Sequence, residues 1–235
     1  MYSESHIMNL EILYEDNHLI AVNKPAGILV QGDISEEENL MDKVKKYLKE
    51  KYKKEGNVFL GLIHRLDRNV SGIVLFAKTS KGASRLSEQF RNHTVEKIYH
   101  AWVEGKPPQQ TDTLKHFLVK DENKNKTEVF EKEVVGSQYA ELTYEITPHP
   151  SLSNTGCWTN KEVTFLKVKL GTGRSHQIRA QLAHIGCPIV GDVKYGASKA
   201  LSDQSILLSA TELRFDTATE PKRVSLVAPL PQLNI

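Results

Sequence analysis

"GLIHRLDRNVSGIVLFAK", residues 61–78, places four ionisable side chains in five positions and then turns apolar. His64, Arg65, Asp67 and Arg68 come first, and Ile73 to Ala77 follow without a polar break. A continuous apolar run bounded by Ser-Gly reads as a buried strand. A carboxylate just ahead of such a strand must be paired, protonated or exposed in a cleft. Asp67 therefore needs either a partner or a chemical task.

The flanking segments supply the rest of a fold. "LEILYEDNHLIAVNKPAGILV" (10–30) predicts two short strands about the polar turn Glu15-Asp16-Asn17, the second ended by Lys24-Pro25-Ala26-Gly27. Residues 40–54 predict a helix, with Leu40, Met41, Val44, Tyr47 and Leu48 on one face. Ser80 is the expected cap of a helix reaching about Phe90, with Ala83, Leu86 and Phe90 turned inward. "VEKIYHAWVEG" (95–105) alternates, so Val95, Lys97, Tyr99, Ala101 and Val103 share one side of a strand.

From 106 to 160 the chain is polar and loosely patterned: "KDENKNKTE" reads as a turn or hairpin tip, "YAELTYEI" as a strand, "TPHPSLSNTGCWTN" as an irregular loop. "EVTFLKVKL" (162–170) predicts a strand. "GTGRSHQIRAQLAHIGCP" (171–188) predicts a loop and then a helix, with Ser175 as N-cap, an Ile178–Leu182–Ile185 stripe, a stop at Gly186 and Pro188 beyond. "ILLSATELRF" and "RVSLVAPLP" read as terminal strands. The expectation is one α+β domain over residues 1–235, with a central, mainly antiparallel (mixed) sheet and about three helices.

Composition narrows the class. The chain has 235 residues, 39% hydrophobic and 26% charged, with no apolar stretch near the roughly 20 residues of a membrane span. "MYSESHIMNLEILYED" is not a signal peptide. Cys157 and Cys187 have no framework spacing, so a cytoplasmic protein with reduced thiols is expected. The net charge is only +2, but "DKVKKYLKEKYKK" (42–54) holds seven lysines against two acids. Such a run is usually a solvated helix face; the sharper reading is a phosphate-contacting patch.

Several chemistries are excluded by pattern. His176 and His184 lie eight positions apart, not at HExxH spacing, and no CxxC exists, so no metal site is expected. "GTGRSH" is neither a Walker loop nor a dinucleotide fingerprint, and no GxSxG elbow is present. Three stretches remain: Asp67 before its strand, Lys97 with Tyr99 on one strand face, and Arg174 with Arg179 about a helix N-terminus that itself suits an anion. Each alone reads as a structural ion pair or surface charge. Together they describe one carboxylate, several arginines and one aromatic ring, a set suited to RNA: cations hold phosphates, the ring stacks on a base, the carboxylate reacts.

At this point the residues resemble a known family. "HRLDRNVSGIVLFAK" resembles the signature of RluA-type pseudouridine synthases. "ILYEDNHLIAVNKPAGILV" is similar to their opening segment, "EKIYHAWVEG" to a second motif, "GTGRSHQIRAQLAHIGCPIVGDVKYG" to a third, and "APLP" to the closing strand. The segments fall in order from residue 10 to 231. The resemblance implies an RNA-modifying isomerase of the pseudouridine synthase fold, free of metal or cofactor, acting on uridine in rRNA or tRNA without an obligatory protein partner, as a monomer. It implies Asp67 as the catalytic aspartate, Tyr99 as the ring stacking on the target base, Arg179 as the partner of the aspartate, and Arg65 as the side chain entering the RNA helix as the nucleotide leaves. His64, Arg68, Lys97, Arg174, His176, Gln177 and Ile178 join them as expected substrate-binding positions. The physics agrees: a base must leave its stack to be rebuilt, and an arginine partner stabilises an anionic carboxylate. That carboxylate either attacks C1′ or removes the C2′ proton; the residues leave both routes open.

The departures lie at the edges. The chain starts at the first strand, so no small N-terminal RNA-binding domain is expected. Ser209 stands where such proteins often carry histidine, and "LRFDTATEPKR" lacks their usual His-Pro. Two other readings compete: an inactive RNA-binding relative, disfavoured by retention of Asp67, Tyr99 and Arg179, and a glycosidic hydrolase, which needs a second carboxylate that Glu96, on the opposite strand face, does not supply.

Overall fold

A computed structural model describes residues 10–33, 37–149, 156–158, 161–220 and 222–233. The chain divides into two compact units: residues up to Val95 with Leu213–Ala228, and Glu96–Glu212 with Pro229–Ile235.

The first unit is built from strands β1 (Glu11–Glu15), β2 (Leu19–Lys24), β3 (Gly61–Leu62) and β4 (Ser71–Ala77), helices α1 (Leu40–Lys51) and α2 (Ser80–Arg91), and strand β12 (Arg223–Val227) on the end of β11 (Leu208–Asp216). β1 pairs β2, and β2 and β3 each pair β4, all antiparallel. An antiparallel strand usually alternates, yet β4 is apolar from Ile73 to Ala77 because both of its faces are buried there. Ile73, Leu75 and Ala77 join Leu19, Ala21, Leu86, Val95, Leu213, Phe215, Leu226 and Ala228 in one core.

The cap of α2 is Thr79, not Ser80: Thr79 is extended, and its Oγ1 accepts the Gly82 amide at 3.1 Å. Gly82 is required there, since a Cβ would fall 2.6 Å from the His18 carbonyl. Glu15, at the end of β1, accepts from Tyr47, Lys51, Tyr52 and Lys78 and so ties α1 down. Burial raises its pKa, but these four donors outweigh that and hold it at about 2.

The second unit contains β5 (Glu96–Glu104), β6 (Thr111–Asp121), β7 (Lys126–Phe130), β8 (Gln138–Ile146), β9 (Gly156–Trp158), β10 (Lys161–Leu170) and α3 (Gln177–His184), with the first part of β11 beside β5. Its strand order is β5-β10-β8-β6-β7, every pair antiparallel. The 106–160 segment therefore holds more strand than its polarity predicted, and "KDENKNKTE" spans the β6–β7 turn. Trp102, Val163, Phe165, Val190 and Leu233 form a second core, and the Trp102 indole donates to the Pro231 carbonyl at 3.1 Å. The expected loop "TPHPSLSNTGCWTN" falls mostly outside the described residues, as does the Cys157 side chain; Cys187 is a buried free thiol. Among the described residues no helix is long and apolar enough to cross a membrane. The architecture is α+β, as expected.

Candidate active site

Asp67 sits half-buried in the loop between β3 and β4, gripped by its neighbours Leu66 and Val70, both buried. The Val70 amide donates to the Asp67 carbonyl at 3.1 Å, and the Gly27 amide to the Arg68 carbonyl at 2.8 Å. Gly27 has a φ of 92°, which is why glycine ends the Lys-Pro-Ala-Gly turn.

Lys24, at the end of β2, ties this loop to the turn that follows the strand. The Lys24 ammonium is fully buried and donates to three carbonyls: Pro25 at 2.9 Å, Ile28 at 2.9 Å and Arg68 at 3.0 Å. Burial pushes its pKa down to about 7, while the negative charge of Asp67 pulls it up and Arg68 pushes it down. The only sequence signal for Lys24 was a lysine closing an otherwise apolar strand.

The neighbours of Asp67 divide. The His64 ring turns inward: its Nε2 accepts the Leu75 amide at 3.0 Å, and the ring stacks on Phe90 at 5.0 Å. Arg68 is exposed, donating to the Gly27 carbonyl at 2.9 Å and pairing with Glu37 at 2.6 Å. Arg65 is exposed. The lysine run is likewise split. Lys51 is committed to Glu15 and Lys43 to Glu38, whereas Lys45, Lys46 and Lys49 line a groove of about 520 Å³ with Gly56, Asn57 and Val58.

In the second unit β5 carries Lys97 and Tyr99 on one face, and Tyr99 is buried opposite Val168 of β10. Burial lowers the Lys97 pKa. Gly173 lies beside that side chain: a Cβ there would stand 3.6 Å from Lys97 Nζ, an ordinary contact.

The entry to α3 is a knot tied by Gln177. Its Oε1 accepts from the Arg174 amide at 2.9 Å and the Thr172 hydroxyl at 2.8 Å, while its Nε2 donates to the Glu141 carbonyl at 3.0 Å. The helix consequently starts one residue later than predicted: His176, at φ 52°, is the cap in place of Ser175, and makes no side-chain capping bond. His176 Nδ1 meets the Tyr195 hydroxyl at 2.9 Å, and Arg174 Nε donates to the Tyr139 carbonyl at 3.0 Å. Ile178 is buried.

Arg179 is buried and makes a two-pronged pair with buried Asp192, Nε to Oδ2 at 2.7 Å and Nη2 to Oδ1 at 2.9 Å. The guanidinium lies over the Tyr195 ring, 5.0 Å from its centre, and burial raises the Tyr195 pKa. Asp192 and Tyr195 lie in "GDVKYG", at the end of the third motif, where no spacing rule marks them as partners of Arg179.

The family model for RNA pseudouridylate synthases matches residues 18–184, well over half the chain and inclusive of Asp67, Tyr99 and Arg179. The chain belongs to this family. Curated relatives of this pseudouridylate synthase include the tRNA pseudouridine synthase C of Vibrio cholerae, 36% identical over 217 residues, covering 88% of this chain and 85% of that one. The ribosomal large subunit pseudouridine synthase D of Zymomonas mobilis is 30% identical, covering 98% of this chain and 72% of its own. Among solved structures, human RNA pseudouridylate synthase domain containing 1 shares the fold: TM-score 0.73 at 22% identity, over 99% of this chain and 88% of that one. As a pseudouridylate synthase the chain is an isomerase that acts on RNA.

Proposed function

We propose that this synthase converts uridine to pseudouridine in tRNA, or alternatively in ribosomal RNA, with Asp67 as its catalytic aspartate. The single observation that carries the reading is the ordered run of family motifs, with Asp67, Tyr99 and Arg179 all inside the matched span. tRNA comes first because the more similar curated relatives are named for it.

The reaction breaks the bond from ribose C1′ to uracil N1, turns the base in place, and joins C1′ to C5. Asp67 attacks C1′ or takes the C2′ proton, and in either case its charge favours the positive charge developing on the ribose. Tyr99 stacks on the base, Arg179 stabilises the Asp67 carboxylate, and Arg65 fills the gap in the RNA. Lys97, Arg174 and His176 meet the substrate, with Arg68 at its edge. His64, Gln177 and Ile178 set the shape of the loops that do so. The protein acts as a monomer in the cytoplasm without cofactor.

The test is incubation with bulk tRNA and rRNA from a strain lacking the enzyme, followed by carbodiimide primer extension to map pseudouridine. Wild-type protein should add signal at discrete positions, and Asp67→Asn should add none while still binding RNA. An active Asp67→Asn protein would overturn the assignment, and the mapped positions decide between tRNA and rRNA.

A further inference from the structure

The spacing of His176 and His184 offered no metal pattern, but the second unit completes one with residues far apart in the chain. His184, the last residue of α3, lies beside His116 of β6 and Glu131, which follows β7. The three ligand atoms all lie within 4.8 Å of one another. His184 Nε2 is 2.7 Å from Glu131 Oε1, His116 Nε2 is 3.6 Å from the same oxygen, and the two rings meet edge to face at 5.0 Å. We propose that His116, Glu131 and His184 form a binding site for a divalent transition metal of the zinc class.

The donor set is chemically apt. Two imidazoles and one carboxylate are a three-ligand zinc set that leaves the fourth position to water. With bonds of about 2.0–2.1 Å, tetrahedral ligand atoms stand roughly 3.4 Å apart. The 3.6 Å separation already fits, and the shorter one opens by a small swing of the exposed Glu131 side chain. Glu131 and His184 are at the surface, which gives an ion an entry path, while His116 is buried and supplies a fixed anchor.

Behind His116 stands Gln181, fully buried, whose amide reaches His116 Nδ1 at 2.9 Å. Its Oε1 is buried with no hydrogen-bond partner. Turning the amide over would bring that oxygen onto Nδ1, place the ring proton there and free the Nε2 lone pair for the metal, at the cost of the 3.3 Å bond that the amide nitrogen now gives the Leu114 carbonyl. This is the outer contact that metal-bound histidines ordinarily make. An ion here would fasten the β6–β7 hairpin to the far end of the helix that carries Arg179. The site goes beyond the RNA chemistry and does not depend on it.

The experiment uses the full chain without an affinity tag, stripped with chelator, and zinc chloride alone as probe. Competition against the chromogenic chelator 4-(2-pyridylazo)resorcinol should show one equivalent of zinc withheld by the wild-type protein. Glu131→Gln and His184→Asn, both surface changes, should each weaken that binding at least about tenfold, and zinc should raise the wild-type melting temperature but not theirs. Cys157, Cys187 and the other histidines are shared by all three proteins, so the difference isolates the cluster. No equivalent withheld by the wild type, or equal affinity in the wild type and His184→Asn, overturns the proposal.

Discussion

The loop that carries Asp67 and the helix entry that carries Arg179 both hold a candidate residue with buried charge, but they do so by opposite means. At Asp67 a single ammonium, Lys24, gathers three backbone carbonyls, so a side chain fixes the course of the main chain. At Arg179 a second side chain, Asp192, fixes the guanidinium with two bonds in parallel. The first support is satisfied by dipoles, the second by a full opposite charge. A buried charge left with dipoles loses less than one left with nothing, and this predicts how the two regions respond to substitution.

The largest effect should come from Asp192→Ala, which takes the opposite charge away from a buried guanidinium and should cost about 3–5 kcal/mol of stability, read as a fall in the urea midpoint. Lys24→Met removes the charge itself and leaves three carbonyls unserved, a loss of about 3 kcal/mol. It should also lower turnover, because the loop bearing Asp67 loses its tether. If Lys24→Met proved the more damaging to stability, the contrast between the two supports would be wrong.

Glu15→Gln comes next, at about 2 kcal/mol once its shift is discounted for water access. The folded Glu15 titrates at about 2, below its ordinary 4.5. Its contribution is therefore complete above about pH 4.5 and is lost as pH falls toward 2. Thermal melts should show the wild type losing stability across that window and Glu15→Gln varying less. The smallest effect on stability, within about 0.5 kcal/mol, belongs to joint replacement of Lys45, Lys46 and Lys49 by glutamine. KM for RNA should nevertheless rise, and its dependence on salt should weaken. An unchanged KM would reduce that groove to a solvated face.

Much of this was legible in the residues. β4 announced itself by its unbroken apolar run, β5 by alternation, and the helix around Leu86 by its period. β6 hid because one of its inward positions is His116, which interrupts the apolar alternation of Leu114 and Leu118. Both helix caps were placed one residue off, for a reason no propensity contains: at α3 the Gln177 side chain has already taken the Arg174 amide. Candidate residues could be named from motifs, but their supports could not. Lys24 and Asp192 matter through partners 44 and 13 positions away, and that pairing exists only after folding.

The tail of the chain bears on how such a molecule is made. Leu213, Phe215, Leu226 and Ala228 belong to the core of the first unit, while Leu233 and the Pro231 carbonyl complete the second around Trp102. Neither core can close on the ribosome while these residues are still in the exit tunnel, however early its other strands emerge. A nascent chain that already displays Asp67 and Arg179 is thus still an open one. The enzyme is finished only after synthesis has passed Leu233.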